Sequence, residues 1–483
     1  MNYHSTRSSR EQVDSAQAVI RGLAPDGGLY MPQKLPTVDV NACLKEDFYG
    51  CAARLLSAFL PELPDMPSLV EKAYTGKFSA PDVTPTVTVG DFSVLELWRG
   101  PTSAFKDVAL RMLPQLLTAA RKVKGMDGEI MILTATSGDT GKAALEGFRD
   151  VDGISICVFY PHGGVSKVQR AQMVTQEGSN VSVCAVEGNF DDAQTGVKQI
   201  FAACRDREDI HLSSANSINI GRLVPQITYY FKAYRDLLDQ GAITMGQEVN
   251  FSVPTGNFGD ILAGYLAKQL GLPVGRLICA SNANNVLTDF LRTGTYDRRR
   301  PLLKTQSPSM DILVSSNLER LLYLLSGDTG LVASLMEQLN TQGSYTVPQA
   351  LYDRLQKDFW AGCCDDAAAR DAIGRVWKKE QYLTDPHTAT GWVVAEEYRA
   401  KTGDTRPMVV LSTASAYKFP SAVLEALGAE GAEDEFDRME QLQEITGTPI
   451  PENLSTLRQK PERHTGVIPK EAMLDFVLQQ SRA

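Results

Sequence analysis

Residues 252–264 read SVPTGNFGDILAG, an apolar run that ends in a turn with two glycines and opens into a helical pattern. Strand, small polar turn and helix in that order make the βα unit of a parallel sheet. Such a turn leaves several backbone N–H groups aimed along the axis of the following helix, where the helix dipole favours an anion. Two further junctions share this grammar, TATSGDTGKAA at 134–144 and VLSTASAYKFP at 410–420. Any single turn of this kind can serve only to let a helix pack close to its strand. Their recurrence points to a ligand, a phosphate among its groups, held at the C-terminal ends of parallel strands.

Around these junctions, apolar runs at 94–98, 129–135, 154–159, 181–186, 249–253, 276–280 and 408–412 alternate with helical periods at 105–122, 139–149, 166–177, 190–205, 220–239 and 260–270. Unbroken apolar runs joined through helices predict parallel strands buried on both faces, hence an α/β, doubly wound body. Residues 1–92 lack that rhythm and predict a separate N-terminal cap domain. The catalytic core then spans 93–316 and 382–428 as two α/β lobes, with 317–381 a helical insertion and 429–483 a C-terminal helical tail whose acidic face is solvated.

The formal net charge of −10 disfavours polyanions, so neither nucleic acid nor an anionic membrane is an expected partner. The eight cysteines show neither CxxC pairs nor the density of a disulfide scaffold, which predicts reduced thiols, no metal site and a cytoplasmic location. An apolar leader and any run of about 18 apolar residues are both missing, as in a soluble protein. A small-molecule substrate and a monomer or homodimer are expected.

One amine stands out. In LELWRGPTSAFKD, residues 95–107, Lys106 follows a Gly-Pro turn at the very start of a helical pattern, between Ala104-Phe105 and Val108-Ala109-Leu110. A lone lysine there is ordinarily a surface residue of a first helical turn. Buried instead, it would lose pKa to desolvation and to the positive end of the dipole and become nucleophilic near neutrality. Neither GxxxxGK[ST] nor GxGxxG is present, so a nucleotide fingerprint is lacking. A cofactor with both an aldehyde and a phosphate satisfies Lys106 and the 256–259 turn together: pyridoxal 5'-phosphate, joined to Lys106 as a Schiff base.

With these residues on the page, the chain resembles the threonine synthase family, in the longer form found in bacteria and fungi, within the fold-type II pyridoxal-phosphate enzymes. RGPTSAFKD is similar to that family's lysine motif, TATSGDTG to its SGDTG turn, NSINIGRL to its NSIN-x-x-R segment, VPTGNFGD to its phosphate loop and LSTASAYKFP to its C-terminal STAxxxKFP. RGLAPDGGLYMP is similar to its N-terminal signature. The resemblance implies that Lys106 is the Schiff-base lysine and proton shuttle and that Gly256, Asn257, Phe258, Gly259 and Asp260 form the cofactor phosphate loop. It places Thr413 at the pyridine nitrogen, where a hydroxyl leaves the ring a weaker electron sink than a carboxylate would.

Asp139 lies where relatives carry an asparagine that meets the substrate carboxylate or the cofactor's ring oxygen. Ser137, Gly138 and Thr140 would donate to the substrate carboxylate, and helix capping is the other reading of Ser137 and Asp139. Asn216, Ser217 and Arg222 are assigned to the substrate's own phosphate, Arg222 being open also to a salt-bridged helix role. Lys418 is open to a site or a surface role, and His387 reads as a capping or packing histidine. Arg99, Ser8 and the pair Ser415-Ala416 depart from the family pattern. The reaction implied is O-phospho-L-homoserine and water giving L-threonine and phosphate, by elimination and β-hydration. A phospho-lyase giving 2-oxobutyrate and a non-catalytic phosphometabolite-binding relative are the alternatives.

Overall fold

The computed structural model describes residues 1–136, 138–204, 207 and 210–480. In chain order its strands are β1 (Asn2–Ser5), β2 (Ser8–Asp14), β3 (Tyr30–Pro32), β4 (Thr86–Val89), β5 (Phe92–Glu96), β6 (Ile130–Ala135), β7 (Ile154–Pro161), β8 (Val181–Glu187), β9 (His211–Ser214), β10 (Val249–Pro254), β11 (Val274–Ser281), β12 (Thr295–Asp297), β13 (Ser344–Thr346), β14 (Phe359–Cys363), β15 (Met408–Ser412) and β16 (Val467–Pro469). They form four sheets, two of which make the core.

The first core sheet runs β14-β11-β10-β15-β5-β4, parallel except for β4 at its edge; the second runs β16-β8-β7-β6-β9, parallel throughout. Helices between the strands cover the sheets, as in a doubly wound α/β fold. The consequence for a site is direct. β10, β15 and β5 are neighbours and point the same way, so the turns after them open at one edge. β6 and β9 are likewise adjacent, which brings the segments after Ala135 and after Ser214 together.

Every apolar run singled out in the sequence lies in a strand, displaced by a few residues: the run at 94–98 is β5, Phe92–Glu96. Nine strands fall where none was expected, among them β14, β9 and β16 of the core sheets. β14 belongs to the 317–381 stretch, which is otherwise mostly helical; its FWAGC run pairs along β11 from Leu277↔Phe359 to Ser281↔Cys363, so the stretch supplies an edge of the core sheet. β9, HLSS, is polar and gains its strand from pairing with β6. β16 lies in the C-terminal tail and pairs with β8. That tail is more than a solvated face: Phe436, Met439, Leu442, Leu454 and Leu457 are buried against Val423 and Leu424.

Two helices that carry site residues are locked to each other. Lys106–Val123 contains Pro114, which has no N–H to give to the carbonyl of Leu110 one turn back. Gly147, in the helix Asp139–Phe148, backs onto that same carbonyl, and a Cβ at 147 would lie 2.1 Å from its oxygen. Only glycine permits the approach, so the starts of the two helices, Lys106 and Asp139, are held in fixed relation.

Among the described residues no helix is long and apolar enough to cross a membrane.

Candidate functional site

Lys106 is the first residue of its helix and is buried. The turn that presents it is closed by Asp107, whose carboxylate accepts the N–H of Thr102 at 2.9 Å and its hydroxyl at 2.6 Å. Burial pushes the Asp107 carboxyl up to about 6 in spite of those bonds. On the other side the turn is stitched to the end of β15: the N–H of Phe105 donates to the carbonyl of Thr413 at 2.8 Å, and the N–H of Ser415 to that of Ser103 at 3.1 Å. Thr413, itself buried, therefore sits beside the lysine.

The amine is free. Among the described residues Lys106 Nζ forms no hydrogen bond or ion pair; it lies 4.5 Å from the centre of the Phe105 ring. Burial lowers its pKa to about 8, against an opposing pull from Asp139 and with further lowering from Lys418 and Arg222. Residues from three other junctions thus surround it electrostatically.

The 255–260 segment is built to bind. Phe258 adopts the left-handed conformation, φ 65°, just ahead of the helix Gly259–Gln269. That strain is offset by full burial, its ring meeting Phe359 of β14 at 5.9 Å. The carbonyls of the turn are tied away from the site: that of Gly256 accepts Ser315 Oγ at 2.7 Å, and that of Asn257 accepts the N–H and the side-chain amide of Asn317. The N–H groups of Gly256, Asn257, Phe258 and Gly259 donate no hydrogen bond among the described residues, and that of Asp260 bears on its own carboxylate. A Cβ at 256 would lie 2.7 Å from the carbonyl oxygen of Ser309, so the loop is fitted closely to the 308–310 turn. Burial pushes the Asp260 carboxyl up to about 7.

After β6, Gly138 takes φ 143°, and its N–H and that of Gly141 both donate to Thr136 Oγ1. Asp139 starts the helix and is buried; Thr140 is partly exposed, and Ser137 lies outside the described residues. Asp139 Oδ1 is 2.6 Å from Lys418 Nζ. Burial alone would raise this carboxyl, but Lys418 and Lys106 hold it well below the usual carboxylate range.

After β9, Asn216 and Ser217 are partly exposed and Arg222 is buried in the short helix Ile220–Leu223. Its Nη1 donates to the carbonyl of Ala215 at 2.9 Å, while its Nε is buried without a partner. It makes no ion pair among the described residues. Burial lowers its pKa to about 10. An uncompensated guanidinium in the interior is costly unless an anion joins it.

The fold therefore gathers Lys106, Asp139, the 256–260 loop, Thr413 and Arg222 at the edge where both sheets end. Two residues left open or read as structural in the sequence, and three that it did not single out, border the same edge. Lys418 is fully buried, which removes its surface alternative. His387 does more than cap or pack: its Nδ1 lies 2.6 Å from Asp385 Oδ2, and its Nε2 accepts the N–H of Ser309, whose hydroxyl is 3.4 Å from Asp139. Ser315 and Asn317 hold the loop from behind. Lys418 had a usable signal, five residues past Thr413 in one motif; Ser309, Ser315 and Asn317 had none. A cavity of about 180 Å³ behind the loop, lined by Arg7, Ser315 and Glu319 among others, contains none of the anticipated site residues.

Family models match the chain in three successive parts: threonine synthase N terminus at residues 2–74, pyridoxal-phosphate dependent enzyme at 83–414, and threonine synthase C-terminal at 388–477. The chain is 40% identical over 434 residues to threonine synthase-like 1 of Homo sapiens, covering 85% of this chain and 58% of that protein, so it spans little more than half the length of that relative. It is 40% identical over 437 residues to threonine synthase of Pseudomonas aeruginosa, covering 88% of this chain and 90% of that one. Among solved structures, the pyridoxal-phosphate-bound threonine synthase from Brucella melitensis superposes with a TM-score of 0.90 at 38% identity, covering all of both chains. The yeast threonine synthase gives 0.90 at 33% identity, covering 100% of this chain and 98% of that one.

Proposed function

The chain belongs to the threonine synthase family of pyridoxal-phosphate-dependent enzymes, and from that premise we propose that it converts O-phospho-L-homoserine and water to L-threonine and phosphate. The observation that carries the reading is the buried amine of Lys106, unpartnered among the described residues, at an edge shared with a helix start that offers the four free N–H donors of Gly256 to Gly259. An aldehyde and a phosphate on one cofactor fit those two features, the carbonyls of Gly256 and Asn257 being engaged by Ser315 and Asn317.

In this reading Lys106 would hold the cofactor by its aldehyde, the N–H groups of 256–260 would hold its phosphate, and Thr413 and Asp139 would contribute to holding its ring. The cofactor, when bound, supplies a conjugated system that takes up the electron pair left on the substrate carbon when a proton is removed. Once the substrate's amine has taken its place on the aldehyde, the freed Lys106 Nζ would take the α proton, pass it on, and then take a β proton, a task suited to an amine whose pKa burial has brought to about 8. Arg222, with Asn216 and Ser217, binds the phosphate that leaves from the γ carbon; its unpaired Nε supports that role. Gly138, Thr140 and Ser137 are assigned to the substrate carboxylate. The same lysine returns the α proton once water has added at the β carbon. A cytoplasmic location is part of the proposal, supported by the eight free cysteines.

The test is product analysis of the purified protein with pyridoxal phosphate and O-phospho-L-homoserine. Threonine and phosphate in equal amounts are expected. Exclusive 2-oxobutyrate would replace the proposal by a phospho-lyase. A protein that stays colourless with added cofactor and forms no product would leave only a binding role.

A further inference from the structure

Lys418 ends the short turn Ala416–Lys418 after Thr413, and its side chain is wholly buried. Its Nζ lies 2.6 Å from Asp139 Oδ1 and 3.3 Å from the carbonyl of Thr102, in the turn that presents Lys106. The pair joins the two core sheets, since Lys418 follows β15 and Asp139 follows β6. Among the described residues the other hydrogen bonds of the Asp139 carboxylate are neutral: Gln169 Nε2 at 3.3 Å and Ser309 Oγ at 3.4 Å. A buried ion pair of this kind contributes little net stability, because desolvation of both charges offsets their attraction.

Its position gives it another use. The charged groups that bear on Lys106 are Asp139, Lys418, Arg222 and Asp260. An uncommitted carboxylate beside an amine pins a proton on it, whereas one already engaged by a second ammonium does so far less. We propose that Lys418 is a positioning residue for Lys106: it engages Asp139 and adds a like charge, so that the amine of Lys106 holds its proton less tightly than it would beside Asp139 alone. This rests on the reading of Lys106 as the cofactor lysine.

The experiment uses the full-length protein resolved of cofactor. Pyridoxal phosphate is added across a pH series; its aldehyde condenses with the amine and releases water, and borohydride reduces the imine to a stable amine mapped to Lys106 by peptide mass. The midpoint of trapping against pH reports the Lys106 proton. Lys418→Met is expected to raise it by about one unit or more, as Asp139 turns its charge on Lys106. Lys418→Arg, which preserves the charge, is expected to leave it in place, and Asp139→Asn to lower it. If Lys418→Met does not fold, the Asp139→Asn shift decides. A wild type that traps on Lys106, with unmoved midpoints in Lys418→Met and Asp139→Asn, overturns the inference and leaves a pair that only joins the lobes. No trapping on Lys106 in the wild type overturns the function reading itself.

Discussion

Asn317 holds the carbonyl of Asn257 with two hydrogen bonds, one from its backbone N–H at 3.0 Å and one from its side-chain amide at 3.1 Å. Its own side-chain oxygen accepts Arg320 Nη1 at 2.6 Å, and Arg320, fully buried, also donates to the carbonyls of Tyr30 and Ile218. One side chain thus ties the anion loop to the N-terminal sheet and to the segment that carries Asn216, Ser217 and Arg222.

Asn317→Ala is therefore expected to act on the loop and on stability together. It leaves the Asn257 carbonyl with only the backbone bond and strips Arg320 of one partner, at a cost of about 2 kcal/mol. Cofactor affinity, read by absorbance titration, should fall about tenfold or more, and the melting temperature should drop. Unchanged affinity with lowered stability would show that the loop holds its shape without Asn317.

Arg222→Met separates function from stability. Removing a buried guanidinium that lacks a counter-ion should leave the cofactor-loaded protein as stable as wild type or more so, while the KM for O-phospho-L-homoserine rises about 100-fold, the scale of a lost charge-assisted contact. Inorganic phosphate should raise the melting temperature of the wild-type holoenzyme and not that of the variant. Equal phosphate responses would place the substrate phosphate elsewhere.

How much of this was legible in the sequence follows from range. The βα turns at 134–144, 252–264 and 410–420 could be read because strand, turn and helix start are neighbours in the chain, and topology then brought their ends together. The partners that hold them could not. Asn317 meets Asn257 sixty residues away, and Ser309 meets His387 across seventy-eight. β14 was hidden because five residues between helices carry no periodicity, and β9 because HLSS has no apolar pattern and is a strand only through its pairing with β6. Lys418 was ambiguous because its burial depends on Asp139, brought over from the other sheet.

Lys106→Met should change the pH dependence of stability in a set direction. A lysine whose folded pKa is about 8, against an ordinary 10.5, binds its proton more weakly folded than unfolded. Folding therefore carries a penalty that is full below about 8 and vanishes above the unfolded value, worth up to about 3 kcal/mol. The cofactor-free variant should melt higher than cofactor-free wild type at pH 7, with the gain shrinking as the pH climbs toward 10.5. A gain independent of pH would mean that Lys106 carries no such penalty. Product formation should be lost in the variant at every pH.

Asp260 works in the opposite sense and reaches the anion loop. Burial raises its folded pKa from 3.8 to about 7, so the folded protein holds this proton more tightly than the unfolded chain, and stability falls as the pH rises from about 4 through 7. Its carboxyl shares the first helical turn with the free N–H donors, its Oδ1 accepting the N–H of Ile261 at 2.8 Å. A phosphate dianion at those donors favours the neutral acid, so binding takes up a proton where Asp260 is otherwise ionised. Titration of Lys106 affects both proteins alike, so the affinity of the wild type relative to Asp260→Asn should weaken between pH 7 and 9, approaching tenfold per unit at most, in the same absorbance titration. Parallel pH profiles for the two proteins would remove Asp260 from the electrostatics of the loop.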